Sequence, residues 1–126
     1  MIIIDTDVLI EILDKKSDVG QIFYEKIKSS KHDISITVIT LHEILYGFLK
    51  YQKASNQVLE FHILEYNKND AELSAKLEIE MEEKQGAKIP RTDTMIAAIA
   101  INNNAILFSR DHHFTKLIPL GLKLLD

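Results

Sequence analysis

The chain opens with Met1-Ile2-Ile3-Ile4, apolar at every position, and stops at Asp5. A strand with one wet face alternates apolar and polar residues, whereas a strand covered on both faces is free to be apolar throughout. Residues 2–5 therefore read as a short buried strand. That feature constrains the fold more than any other, because a strand covered on both faces belongs in a parallel sheet held between layers of helices. The rest of the chain alternates to match. Residues 7–13 suit a short helix. Asp18 can cap the next one, where Val19, Ile22, Phe23 and Ile27 recur at helical spacing. Residues 34–39 are β-branched and strand-like. Leu41, Ile44, Leu45, Phe48 and Leu49 form a second helical stripe, ending before Asn56. Residues 61–66 suit a third strand. Asp70 is expected to cap a helix that Gly86 ends. Pro90 separates that helix from one opening near Asp93, which Asn102-Asn103-Asn104 closes. Strands are expected at 105–109 and 122–125. Right-handed crossovers follow as the default; strand order does not follow from the pattern.

With 126 residues, 46% of them hydrophobic, the chain suits one domain over 1–126 with a real core. There is no cysteine, so disulfides and thiolate metal sites are excluded. The start carries no basic segment ahead of its apolar run and does not read as a signal peptide. No apolar run approaches the roughly 20 residues of a membrane span. These features fit a cytoplasmic protein without a membrane partner. The net charge of −4 argues against a simple electrostatic reader of nucleic acid. Much of the acid, however, sits at Glu72, Glu78, Glu80, Glu82 and Glu83, on one expected helix. The two arginines, Arg91 and Arg110, flank Asp93 and Asp111, so local positive charge is expected beside those acids.

Four carboxylates fall where expected strands end or the next helices begin: Asp5, Glu43, Asp93 and Asp111. In an open α/β sheet, ligands bind at the carboxyl ends of the strands, so acids distant in sequence can share one cleft. At ~5 Å and an effective dielectric of about 20, each ionised pair costs roughly 3 kcal/mol. Such a cluster needs a proton or a cation, and oxygen-only ligands favour Mg²⁺ or Mn²⁺. Each acid also has a structural account. Asp5 can cap the following helix, although Thr6 and Asp7 could do so equally well. Asp7 suits a cap or a support for the site. Glu43 fits a capping box in Thr40-Leu41-His42-Glu43. Asp93 suits the favourable end of a helix dipole. Asp111 suits a turn. His112 and His113 lack the partners of a zinc site and read as solvated groups within reach of a phosphate. Tyr46, Phe48 and Tyr51 read as core or interface residues rather than a base-stacking platform.

Read together, these segments resemble the PIN domain, and in particular VapC toxins of toxin–antitoxin pairs, over essentially the whole length. Ile2-Ile3-Ile4-Asp5-Thr6-Asp7-Val8-Leu9-Ile10 resembles the opening motif. Thr40-Leu41-His42-Glu43-Ile44-Leu45-Tyr46-Gly47 resembles the second. Asp93-Thr94-Met95-Ile96-Ala97-Ala98 is similar to the third, and Leu107-Phe108-Ser109-Arg110-Asp111-His112-His113-Phe114 to the fourth. Each motif alone is weak; all four in order are specific. The resemblance implies a three-layer α/β/α sandwich on a five-stranded parallel sheet. It implies Asp5, Glu43, Asp93 and Asp111 as the acidic, metal-binding and catalytic set, with Thr6, Asp7, Ser109, Arg91 and Arg110 as supporting or substrate-contacting residues. It implies a Mg²⁺- or Mn²⁺-dependent endoribonuclease acting on RNA, a homodimer, and inhibition by a small antitoxin. Position 7 is Asp where Asn or Ser is frequent in the family, and position 109 is Ser where Thr is common.

Two other readings compete. In a haloacid-dehalogenase-like phosphatase, Asp5 would attack phosphate and Asp7 act as acid, but the Thr expected two positions later is Leu9, and the chain is short for that fold with a cap. A non-catalytic PIN-like domain would bind RNA or a partner alone, a reading that four intact acids disfavour.

Overall fold

The computed structural model describes residues 1–86 and 88–126. Five strands form one parallel sheet: β1 (Ile2–Ile4), β2 (Ile34–Thr37), β3 (His62–Leu64), β4 (Ile106–Phe108) and β5 (Lys123–Leu124), in the order β3-β2-β1-β4-β5. β1 pairs with β2 (Ile2 with Ile34) and with β4 (Ile4 with Phe108), so the all-apolar strand lies at the centre of the sheet. Its neighbours on both faces explain its composition. Ile3 and Leu107 enter a core with Leu77, Met81, Ile96 and Ile99. Ile2, Ile4, Ile36 and Phe108 face the opposite way, into a core with Val8, Leu9, Ile27, Ile44 and Phe48.

The helices divide accordingly. α1 (Thr6–Ile10) runs into a π-helical turn over Glu11–Lys15, then come α2 (Asp18–Ser30), α3 (Val38–Lys50) and the short α4 (Asn56–Leu59). These supply the second core. α5 (Lys68–Gln85), α6 (Arg91–Asn102) and a 3₁₀ helix over His112–Leu120 supply the first. The sheet grows one way from β1 through β2 to β3, then the other way through β4 to β5. If every crossover keeps one hand, the helices must change face when growth reverses, and they do. Among the described residues, no helix is long and apolar enough to cross a membrane.

Several boundaries differ from the sequence pattern for local reasons. The strand expected over 34–39 ends at Thr37, whose hydroxyl accepts the N–H of Thr40 at 3.1 Å and starts α3 early. α2 is capped by Ser17, which accepts from the Gly20 N–H at 2.9 Å; Asp18 is the first helical residue. Asp70 is the third residue of α5 rather than its cap. Asn67 caps, and the Asp70 carboxylate reaches back to the Asn67 N–H at 3.0 Å, a reciprocal capping box. Gly86 ends α5 as expected, at φ 58°. The helix expected over 7–13 becomes one turn of α-helix and a π turn. α2 abuts this turn backbone to backbone, since a Cβ on Gly20 would collide with the Glu11 carbonyl oxygen. The 3₁₀ helix and α4 were not among the expected elements: α4 is a single turn, too short to show an apolar repeat, whereas the 3₁₀ helix carries one at Phe114, Leu117 and Ile118, interrupted by Pro119.

Candidate active site

β1 and β4 are adjacent, and the Asp5 N–H donates to the Phe108 carbonyl at 2.9 Å. The residues leaving these two strands therefore emerge side by side where sheet growth reverses, the place where open α/β sheets bind ligands. α3 comes over this edge from one layer and α6 from the other. Asp5, Asp7, Glu43, Asp93 and Asp111, with Thr6 and Ile10, line one cavity of about 230 Å³.

Each acid is held differently. Asp5 occupies the cap position of α1 but makes no capping bond. Its Oδ2 accepts instead from the Ser109 hydroxyl at 2.7 Å, and the same hydroxyl oxygen accepts the Asp111 N–H at 3.0 Å. Ser109 thus ties the first acid to the loop carrying the fourth. Asp7 spans the same gap: Oδ1 accepts from the Val8 N–H at 2.7 Å and Oδ2 from the Arg110 N–H at 3.0 Å. Glu43 is not in a capping box, because the cap of α3 is Thr37; its carboxylate accepts from the Thr6 hydroxyl at 2.9 Å. Asp93 stands in the first turn of α6, with Pro90 at the cap position and no side-chain cap. Asp111 does serve its turn, accepting the His113 N–H at 2.9 Å, and it still faces the cavity.

The electrostatics are unfavourable without a cation. Burial pushes the Asp5 carboxyl from the ordinary 3.8 up to about 7, against the Ser109 hydrogen bond, with Asp7 and Asp93 adding to the rise. Burial, then the Asp111 charge, raises Asp93 to about 6. Burial also raises Asp7, partly offset by the Arg110 and Val8 N–H groups. The arginines do little for the cluster: the Arg110 charge favours the Asp7 carboxylate, and both side chains are engaged elsewhere. Arg91 forms two bonds to Glu78 on α5, at 3.0 and 3.2 Å. Arg110 lies over the Phe23 ring, 5.6 Å from its centre, and reaches Glu11 at 3.4 Å. Local positive charge was expected around the acids; in the fold these side chains satisfy other carboxylates instead.

His113 is the residue that sequence reasoning set aside. Its Nδ1 lies 3.1 Å from Asp111 Oδ1 and 3.4 Å from Asp93 Oδ2. One donor atom from each of Asp93, Asp111 and His113 falls within 4.8 Å of the others. Among the described residues, Asp93 Oδ2 and His113 Nδ1 are sealed from solvent without an aligned hydrogen bond. Orphaned buried atoms amid repelling carboxylates are what a divalent ion would satisfy, so this donor set fits Mg²⁺ or Mn²⁺. The signal for His113 was its place two residues after Asp111, in a tight turn that folds the ring back over the acid.

The PIN domain family model matches residues 2–118. The chain belongs to the PIN-domain family. Solved structures agree on the PIN fold. VapBC2 from Rickettsia felis, bound to a DNA fragment from its promoter, is 25% identical, with a TM-score of 0.81 over 99% of this chain and 98% of that one. VapBC-1 from nontypeable Haemophilus influenzae is 21% identical, with a TM-score of 0.77 over 100% and 98%. VapBC-5 from Mycobacterium tuberculosis, a member of the VapBC family of toxin–antitoxin systems, is 23% identical, with a TM-score of 0.72 over 98% and 95%. No curated protein matches the chain.

Proposed function

We infer that residues 1–126 form a single PIN nuclease domain, a metal-dependent endoribonuclease that serves as the toxin of a VapBC-type pair. The observation that carries this reading is the cavity where Asp5, Glu43, Asp93 and Asp111 meet with no lysine or arginine among its lining residues. Asp93 and Asp111, with His113 beside them and Asp5 from the end of β1, would hold Mg²⁺ or Mn²⁺, with Glu43 facing them from α3. When bound, the cation supplies the Lewis acidity that polarises a scissile phosphate and acidifies a water. Ser109 and Asp7 keep the two strand-end loops in register, and the Thr6 hydroxyl aims Glu43 into the cavity. Glu43 is then the group placed to orient the attacking water and take its proton. Asp5 is buried with Ser109 on one oxygen, an arrangement suited to a fixed ligand and poorly suited to the exposed nucleophile of a phosphatase.

The similarity to VapBC structures supports a small antitoxin as partner, and a cytoplasmic setting agrees with that pairing. A homodimer agrees with the exposed apolar side chains of α2 and α3, among them Ile22 and Leu49. The deciding experiment is cleavage of labelled single-stranded RNA with Mn²⁺ or Mg²⁺. Cleavage that stops in EDTA, with p-nitrophenyl phosphate left intact, is the expected result. Hydrolysis of the phosphomonoester with RNA spared would overturn the reading.

A further inference from the structure

The acid cavity continues into a second groove. Ile10 and Glu43 line both. The groove runs between two helical edges and has a volume of about 210 Å³. One edge is Glu43 and Gly47, four residues apart on one face of α3, continued by Tyr51 at the cap that ends the helix. The other is Ile10 and Asp14. Lys53 closes the far end, bonded to Asp14 at 2.7 Å.

Two features of this groove are not explained by folding. Glycine is disfavoured inside a helix, yet Gly47 stands in the interior of α3. Nothing lies within 4 Å of where its Cβ would be, so no close approach demands it. The missing side chain leaves the floor open. Tyr51, read from sequence as a core or interface residue, is 68% exposed. The Lys50 ammonium lies 5.8 Å from the centre of its ring and 5.5 Å from that of Tyr46. An open apolar slot thus starts at the acids and ends at an exposed aromatic ring with two lysines beside it.

We propose that this groove is a nucleobase subsite, in which the base next to the scissile phosphate of single-stranded RNA lies over Gly47 and stacks on Tyr51, with Lys50 facing the next phosphate. The inference rests on the ribonuclease reading and extends it to substrate recognition. The charges favour this occupant: the cation-binding end takes the phosphate to be cut, and Lys50, which forms no ion pair among the described residues, complements the one that follows, while Lys53 is held by Asp14. Base–aromatic stacking is effective and tolerant of sequence. Only an unstacked base can enter a slot of this kind, which selects single strands and loops over duplexes.

The test uses the full chain with Mn²⁺ and a fluorescein-labelled single-stranded RNA pool of randomised sequence. Tyr51→Ala is expected to raise KM about tenfold, the loss of one base–aromatic stack, and Tyr51→Phe to restore it. Gly47→Leu, which fills the slot with a good helix former, is expected to raise KM at least as much and to change the base preference beside the cut. Both variants should keep the wild-type rise in melting temperature with Mn²⁺. If the wild type cuts the pool but Tyr51→Ala and Gly47→Leu leave KM and base preference unchanged, the subsite is refuted while the ribonuclease stands. The subsite also fails if Tyr51→Ala abolishes binding of the protein encoded beside this gene and leaves RNA cleavage intact; the groove is then a protein dock. A wild type that neither binds nor cuts RNA refutes the ribonuclease and the subsite together.

Discussion

Two buried acids, one near each end of α6, show how differently a fold can treat a carboxylate. Asp70, 1% exposed at the start of α5, receives the Asn67 N–H at 3.0 Å and the Asn102 side-chain amide at 2.8 Å. Both oxygens are satisfied by neutral donors. The group closes a capping box and ties the start of α5 to the end of α6. Asp5, 7% exposed at the end of β1, receives the Ser109 hydroxyl and then faces other acids. Burial with full hydrogen bonding stabilises a fold; burial beside like charge stores an instability that a ligand can relieve. Depth alone does not mark a functional acid. Its unmet partners do.

The sharpest way to break this contrast is to neutralise the acid site. Asp5→Asn and Asp93→Asn are each expected to lower RNA cleavage by several orders of magnitude, since an amide is a nearly isosteric but weak ligand for a hard cation. At pH 8 without metal, Asp5→Asn should also raise stability, on the order of 2–4 kcal/mol, by removing a charge whose pKa burial has lifted to about 7. Thermal melts and initial rates on the same preparations test both halves. A metal-free Asp5→Asn less stable than wild type would mean that the ionised carboxylate was well accommodated after all.

The next largest effect is on pH. Asp5 and Asp93 titrate in the folded state at about 7 and about 6, above the 3.8 of the unfolded chain. The folded protein therefore holds protons more tightly than the unfolded one between pH 4 and 7. The stability they contribute is present at low pH and is lost as pH rises through the folded values. Without metal, the melting temperature should fall between pH 5 and 8. Divalent ions need the ionised carboxylates, so the rise in melting temperature with Mn²⁺ should be small at pH 5 and large at pH 8. A Mn²⁺ response independent of pH would break the link between these acids and the ion.

Asp70→Ala probes the other side of the comparison. It strands the Asn102 amide and opens the capping box, for an expected loss of about 2–3 kcal/mol. Mn²⁺ affinity of the remaining folded protein should not change, and calorimetric titration would detect it if it did. The smallest effect belongs to Glu43. Thr37 caps α3, so Glu43→Gln should alter stability by no more than about 0.5 kcal/mol while lowering cleavage. Thr37→Ala should cost about 1 kcal/mol or more. A Glu43→Gln variant that melts early and cuts normally would restore the capping role to Glu43.

Local pattern carried a good deal of this protein. The apolar run Ile2–Ile4, the β-branched segment at 34–37 and the helical stripe on α3 announced a parallel sheet between helices, because side-chain periodicity is a property of neighbouring residues. Asp5, Asp93 and Asp111 were legible for the same reason: each stands at a strand or helix boundary, and boundaries can be read locally, whereas Glu43 lies in the second turn of α3, inside the helix rather than at its expected start. What tertiary structure decided is everything that depends on competition among distant groups. The order β3-β2-β1-β4-β5 depends on long-range strand pairing, which brings Asp5 and Asp111 together across more than a hundred residues. Arg91 and Arg110 sit beside acids in sequence, yet in space they meet Glu78 and Glu11, which offer better geometry. Thr37 outcompeted Thr40 for the cap and released Glu43 to the cavity. The turn at Asp111 folded His113 back between two carboxylates, where no spacing rule had put it. Hydrogen bonds and ion pairs form between groups that the fold has brought within about 3 Å, and only the path of the whole chain determines which groups those are.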